Sequence, residues 1–180
     1  ITQEIDSRRT TQSVFATAQL GWDEAIYMDI TARNDWSSTL AHTNSMNSGF
    51  FYPSVGLTWI LSKSLRMPDW ISFSKIRGSW AQVGNDLPIG ITNPADIIQA
   101  GGTIQVNDTE QRGDLKPEIS NSIEFGTEWR FFSSRLGIDF TWYQTDTKNQ
   151  LLRMPNPAGS LFAYRYVNAG KIRNKGFELT

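Results

Sequence analysis

No cysteine occurs in the 180 residues, which excludes disulfide frameworks, thiolate zinc sites and cysteine nucleophiles at once. There is one histidine, His42, so no cluster of imidazole ligands can form within the chain. Charge is scarce: Asp, Glu, Lys and Arg make up 19% of residues, below the usual quarter. The net charge of -1 and pI of about 5.8 give no electrostatic footing for nucleic acid. No apolar run approaches the roughly 18 residues of a membrane helix. Ile1–Thr10 is polar and lacks the pattern of a secretory leader. Gly101-Gly102 lacks the strand–helix setting of a phosphate loop and reads as a turn, and no cofactor is expected.

What is present is aromatic side chains, including seven tryptophans, and a two-residue repeat. It is clearest in Leu115–Gln150. Ile123, Phe125, Thr127, Trp129 and Phe131 alternate with Ser122, Glu124, Gly126, Glu128 and Arg130. Past Ser133-Ser134 the parity flips, and Leu136, Ile138, Phe140 and Trp142 alternate with Gly137, Asp139, Thr141 and Tyr143. Successive side chains on a strand point to opposite faces, so this is a hairpin with one greasy and one polar face. A turn at Ser133-Ser134 pairs Phe131 with Leu136, Trp129 with Ile138, Thr127 with Phe140 and Phe125 with Trp142. Each strand has room for more than ten residues, about twice the ordinary length. That is the length needed to cross a bilayer at a tilt.

The same alternation marks other strands. Gln12–Trp22 and Ile26–Asp35 flank a turn at Asp23-Glu24-Ala25. Gly49–Ile60 follows, with Pro53 awkwardly inside it. Ser72–Gly84 comes after a connector, Leu61–Trp70, with room for a helical turn. Phe177–Thr180 begins a seventh strand and reads as interrupted. Asn34–Ser48, Asn85–Asp114 and Leu151–Asn168 read as long loops, the second with a small hairpin in Ile97–Val106. Short and long connections alternate, the asymmetry of an outer-membrane barrel. The expected fold is all-β: an antiparallel meander of six or seven long strands. Both ends suggest a piece of something longer.

On the polar face fall Arg33, Asp35, Lys75, Arg77, Glu124, Glu128, Arg130, Asp139 and Tyr143, read as facing a lumen. On the other fall Trp22, Ile30, Trp59, Trp80, Phe125, Trp129, Phe131, Phe140 and Trp142. Trp22, Trp59 and Trp129 lie near short-turn ends and Trp80 and Trp142 toward long-loop ends, as two interfacial girdles would. Glu128 falls opposite Asp139, an unfavourable pair, so a cation is expected beside them, with Arg77 the best candidate. Glu124 and Glu128 stand roughly 13 Å apart along one strand, too far for the usual glycosidase pair, and no catalytic or metal residue is assigned. Trp36, Asn85, Asp86, Phe162, Tyr164 and Tyr166, in the long loops, are candidates for solute contact.

Several stretches resemble the C-terminal half of the barrel in SusC/RagA-type TonB-dependent outer-membrane transporters. They are FYPSVGLTW (51–59), KIRGSWAQVGN (75–85), LKPEISNSIEFGTEW (115–129), RLGIDFTWYQTDTKNQLL (135–152) and NAGKIRNKGFELT (168–180). The resemblance implies that residues 1–180 are an open segment of a 22-stranded transmembrane β-barrel, without its plug, signal peptide or remaining strands. It implies a place in the outer membrane of a Gram-negative bacterium, in an importer of oligosaccharides or peptides. The partners it implies are outer-membrane lipid, the protein's own plug domain, a SusD-like lipoprotein and, through the full-length protein, TonB. The alternative reading is a soluble all-β carbohydrate-binding module without catalytic activity. An enzyme is not expected.

Overall fold

In a computed structural model the described residues are 8–44, 49–92, 97–98, 104–105, 107–110 and 112–180. The long strands are β1 (Thr11–Trp22), β2 (Ile26–Ser37), β3 (Phe50–Ile60) and β4 (Ile71–Asn85). Short β5 (Ile97–Ile98), β6 (Ile104–Gln105) and β7 (Thr109–Glu110) follow. Then come β8 (Glu118–Phe131), β9 (Leu136–Lys148), β10 (Leu151–Pro155), β11 (Tyr164–Asn168) and β12 (Lys171–Leu179). One helical turn, α1 (Leu61–Ser64), sits in the β3–β4 connection. No helix among the described residues is long and apolar enough to cross a membrane, which says nothing of strands.

Seven strands form one antiparallel meander in the order β1-β2-β3-β4-β8-β9-β12. The β8–β9 register is the expected one: Phe131 faces Leu136, Trp129 Ile138, Thr127 Phe140 and Phe125 Trp142. The turn itself takes four residues, with Phe132, Ser133 and Ser134 at φ of 53–63°. The β1–β2 turn places Asp23 and Glu24 in the same left-handed region. There Lys63 Nζ stands 3.0 Å from Glu24 and holds that carboxyl below its usual range. Both turns face the same end of the sheet as α1. The β5–β6 pair lies within Ile97–Val106, as expected; Gly101-Gly102 and Val106 are outside the described residues.

Four expectations are corrected. β2 runs on to Ser37, because Trp36 continues its alternation, so Trp36 is a strand residue and not a loop one. Asn85 likewise closes β4 instead of opening a loop. β12 begins at Lys171, six residues before Phe177; its first outward positions are cationic, so no apolar alternation announces them. Residues 151–168 are not a bare loop: β10 and β11 pair as a hairpin, and β11 adds β7 in parallel. Pro53 is accommodated because the β3–β4 ladder runs only from Ile60–Lys75 to Ser54–Ala81. Its missing N–H therefore falls where the rungs have stopped.

The buried core is small and lies at the long-loop end. Leu40, Phe50, Leu87, Ile91 and Leu115 cluster there, with Tyr52, Leu151 and Tyr166 against them. Among the described residues nothing forms a second layer over the apolar face of the sheet: Trp22 is 76% exposed, Phe51 59%, Leu136 50% and Phe177 74%. Trp70 stacks on Phe131 at 5.7 Å, and Trp129 stacks on the same ring at 6.4 Å, so the short-turn end carries an aromatic ledge.

Gly49 shows how tightly the long-loop rim is set. Its φ is +62°, and a Cβ there would meet the Asp35 carbonyl oxygen at 2.9 Å. Gly49→Ala is expected to cost about 1–2 kcal/mol from the backbone conformation alone, read as a lower urea midpoint with unchanged slope.

Candidate functional site

The polar face is where charge converges. Lys75 and Arg77 project from β4, Glu124, Glu128 and Arg130 from β8, and Asp139 and Tyr143 from β9. The register places Lys75 opposite Glu128 and Glu128 opposite Asp139. Two acids side by side would repel, and the structure answers with three cations. Lys75 Nζ lies 2.7 Å from Glu128, and Arg130 forks onto the same carboxylate at 2.7 and 2.9 Å. Arg77 donates to both Asp139 oxygens, at 3.1 and 2.9 Å, and to Thr141 Oγ1 at 2.8 Å. The cation expected beside the pair is thus Arg77 for Asp139, while Lys75 serves Glu128.

Arg77 reaches Asp139 by crossing the whole of β8. Gly126, its cross-strand partner, makes this possible: a Cβ there would sit 2.6 Å from Arg77 Nε. Gly126 was visible in the sequence as a gap in the polar row, but its purpose needed the neighbouring strand. Tyr143 makes the same use of Gly176 on β12, lying where that residue's side chain would be. A double-mutant cycle with Arg77→Met and Asp139→Asn should give a coupling of about 0.5–1 kcal/mol, as both groups are partly solvated. Urea titrations of the four proteins measure it.

Farther along the same face, Arg33 Nε bonds Asp35 at 2.6 Å and Arg33 donates to Ser13 on β1 at 3.1 Å. Phe15 also falls on this face, opposite Arg33. Thr31, Arg33, Asp35, Tyr52 and Ser54 line one side of an open cleft of about 450 Å³, with Ala81–Gly84 on the other. The Tyr52 ring closes its end; a Cβ on Gly84 would meet that ring at 2.4 Å.

The apolar set stays on the opposite face. Ile30 pairs with Ala18 and Val55, Phe125 with Trp142 and Gly78, and Trp80 with Val55 and Ile123. Trp22, Trp59, Trp129, Phe131 and Phe140 share its parity. Trp36 joins them by parity at the long-loop end of β2, with its indole nitrogen beside Gly49.

The remaining loop candidates have structural duties. The Asp86 carboxylate accepts from the Ser37 and Thr39 hydroxyls and from the Leu87 N–H at 2.8 Å, and pairs with Arg9 at 3.0 Å. It ties the β2–β3 connection to the start of the β4–β8 connection. Asn85 donates to Glu118 at 3.4 Å. Tyr164 has the Arg153 guanidinium 3.8 Å above its ring. Tyr166 packs on the buried cluster, and Phe162 is half-buried beside Asn156. Glu118, which also accepts from the Leu151 N–H at 2.9 Å, was missed; only the folded hairpin of β10 and β11 brings that donor to it.

Comparison with known proteins agrees with this geometry. The family model described as "TonB dependent receptor-like, beta-barrel" matches residues 2–180. Among curated proteins, TonB-dependent receptor P26 of Formosa agariphila is 25% identical over 93% of this chain and 18% of its own length. TonB-dependent receptor P3 of the same organism is 28% identical over 93% of this chain and 17% of its own. The chain thus spans less than a fifth of these relatives. Among solved structures, the RagAB peptide importer in its open-open state is 25% identical with a TM-score of 0.81, covering 95% of this chain and 19% of that one. The siderophore receptor PirA from Pseudomonas aeruginosa, at 15% identity and a TM-score of 0.66 over 96% of this chain and 31% of that one, shares the fold.

Proposed function

Because the chain belongs to the TonB dependent receptor-like β-barrel family, we propose that it is a stretch of wall in an outer-membrane nutrient importer. Its apolar face meets lipid, and its charged face meets the lumen, the plug and the passing solute. The observation that supports this best is the bare apolar face: a soluble module would cover rings such as Phe51 and Phe125 on interior strands, and here they lie open. The solute is an oligosaccharide or a peptide, taken up with a SusD-like lipoprotein and driven through TonB. Peptide gains weight from the similarity to the RagAB peptide importer. The cleft at Thr31, Arg33, Asp35 and Tyr52 is the stronger candidate for solute contact than Trp36 or Asp86. The lumen assignments extend to Lys75, Arg77, Glu124, Glu128, Arg130, Asp139 and Tyr143.

Tryptophan fluorescence of the full-length receptor that carries this chain, reconstituted with bromine-labelled lipids, tests the orientation. Quenching is expected for receptors retaining only Trp80 or Trp142. Rings shielded from the bromines would overturn it. Uptake of labelled peptides against labelled oligosaccharides by cells with and without the receptor decides the solute.

A further inference from the structure

One interior seam of the sheet stops short. β3 and β4 both lie inside the seven-stranded order, yet their rungs end at Ser54–Ala81. Each stays paired on its other side, β3 with β2 up to Phe50–Asp35 and β4 with β8 up to Asn85–Glu118. The register fixes which main-chain groups border the gap. Ile60 donates its N–H to the Ala25 carbonyl at 2.7 Å, on the β2 side. Alternate residues of a strand turn N–H and C=O to opposite sides, so Val55, Pro53 and Phe51 turn theirs to β4. Val55 pairs with Trp80, so Gln82 and Gly84 face β3 in return. Pro53 has no N–H for the Gln82 carbonyl, and no rung among the described residues joins Phe51 to Gly84. The Gln82 C=O and both main-chain groups of Phe51 and of Gly84 therefore border an open notch. Two hollows meet there: the lumen-side cleft of about 450 Å³ and an outward one of about 360 Å³ share Tyr52, Gln82 and Gly84. Arg33 and Asp35 flank the first, Phe51, Pro117 and Ile119 the second.

We propose that this notch binds the main chain of an extended peptide, added as a strand to the β4 lip at Gln82 and Gly84. The inference rests on the importer reading and narrows its solute to peptide. The lip offers acceptor, donor and acceptor at strand spacing, with its two residues about 7 Å apart. Another main chain repeats donors and acceptors at that interval, whereas the hydroxyls of a sugar ring do not. Gly84 carries no side chain at the point of closest approach. The Tyr52 ring stands over it, where a Cβ would meet the ring at 2.4 Å. The Tyr52 hydroxyl has no hydrogen-bond partner among the described residues, so turning the ring into the lumen-side cleft breaks no hydrogen bond. Successive side chains of an added strand point to opposite faces; one set meets Arg33 and Asp35, the other Phe51 and Ile119. Pro53 keeps the notch open, because its missing N–H ends the ladder before Phe51 and Gly84 can pair.

The test uses the full-length receptor in detergent micelles and fluorescence polarisation of a labelled, end-blocked hexapeptide alternating valine and serine. Wild type is expected to bind it. The fully N-methylated peptide keeps every side chain and carbonyl but no amide donor, and should bind roughly tenfold more weakly. Pro53→Val supplies the missing N–H and lets the ladder close up to Phe51 and Gly84. Exchange of the Gly84 amide should then slow, and peptide binding should fall by roughly tenfold. Should Pro53→Val fail to insert, the N-methyl comparison on wild type still decides. Equal affinity for the plain and N-methylated peptides would overturn the proposal. So would wild-type affinity in a Pro53→Val receptor whose Gly84 amide is protected. Displacement of the peptide by equimolar maltohexaose would overturn it by identifying a sugar site. A Gly84 amide already protected in peptide-free wild type would overturn it too, by showing the notch filled by the receptor's own chain. Cells that import neither peptide nor oligosaccharide would overturn the importer reading beneath; peptide import with no penalty for N-methylation would overturn this inference alone.

Discussion

Arginine in place of Ile30 should lower the stability of the lipid-inserted barrel by about 2–4 kcal/mol. Ile30 lies midway along β2, on the face of Met28 and Ala32, with Ala18 and Val55 as its cross-strand neighbours. Nothing polar stands beside it on that face to receive a guanidinium. Thr31, one residue on, bonds Ser54 on the opposite face. Thr31→Arg should therefore cost well under 1 kcal/mol. Equilibrium unfolding in guanidinium chloride from phosphatidylcholine vesicles measures both. The contrast between adjacent positions is the informative quantity: equal costs would mean that both faces see the same solvent, and the two-faced wall would be wrong. Phe140 on β9 should behave as Ile30 does.

Asp86→Ala should have the second-largest effect, about 3 kcal/mol, confined to the long-loop end. The side chain is 10% exposed, and its loss leaves the Ser37 and Thr39 hydroxyls only each other as partners and takes the acceptor from the Leu87 N–H. Arg9 loses its ion partner as well. The strands below are joined by backbone rungs and should hold. Hydrogen exchange is therefore expected to rise at residues 37–43 and 86–92 while Ile123–Phe131 stays protected. Uniform loss of protection would show that the loop cluster supports the whole sheet. Asp86→Asn, which keeps one acceptor, should fall between the two.

Much of the sheet was legible in the sequence because a face immersed in one medium forces strict alternation. Ile26, Met28, Ile30 and Ala32 announce β2, and the parity flip across Ser133-Ser134 fixes the β8–β9 register down to the Glu128–Asp139 pair. Legibility fails where the medium changes. Lys171, Arg173 and Lys175 are polar on the outward side too, so no alternation announces β12 before Phe177. Trp36 reads as a loop aromatic because the stretch Asn34–Ser48 around it is polar and rich in Ser, Thr and Asn. The site was half legible. The polar-row charges could be listed, yet which cation meets which acid depends on Gly126 and on neighbours across two strands. Asp86 read as an available carboxylate because nothing in its surroundings along the chain foretells Ser37 and Thr39, which come from another connection.

The early end of the β3–β4 ladder sets a ceiling for hydrocarbon. Backbone groups without rungs cannot be left in acyl chains, where no water replaces the missing partner. On the proposed orientation, lipid tails would stop at or below Ser54 and Ala81. The neighbouring strands mark the same waterline independently, since the outward residue after Trp80 is Gln82, its partner on β8 is Asn121, and Asn121 in turn faces Asp146. Below that line the wall is riveted by main-chain bonds and has to stay sealed. Above it the Tyr52 ring, lodged against Gly84, bridges β3 and β4 in place of backbone rungs.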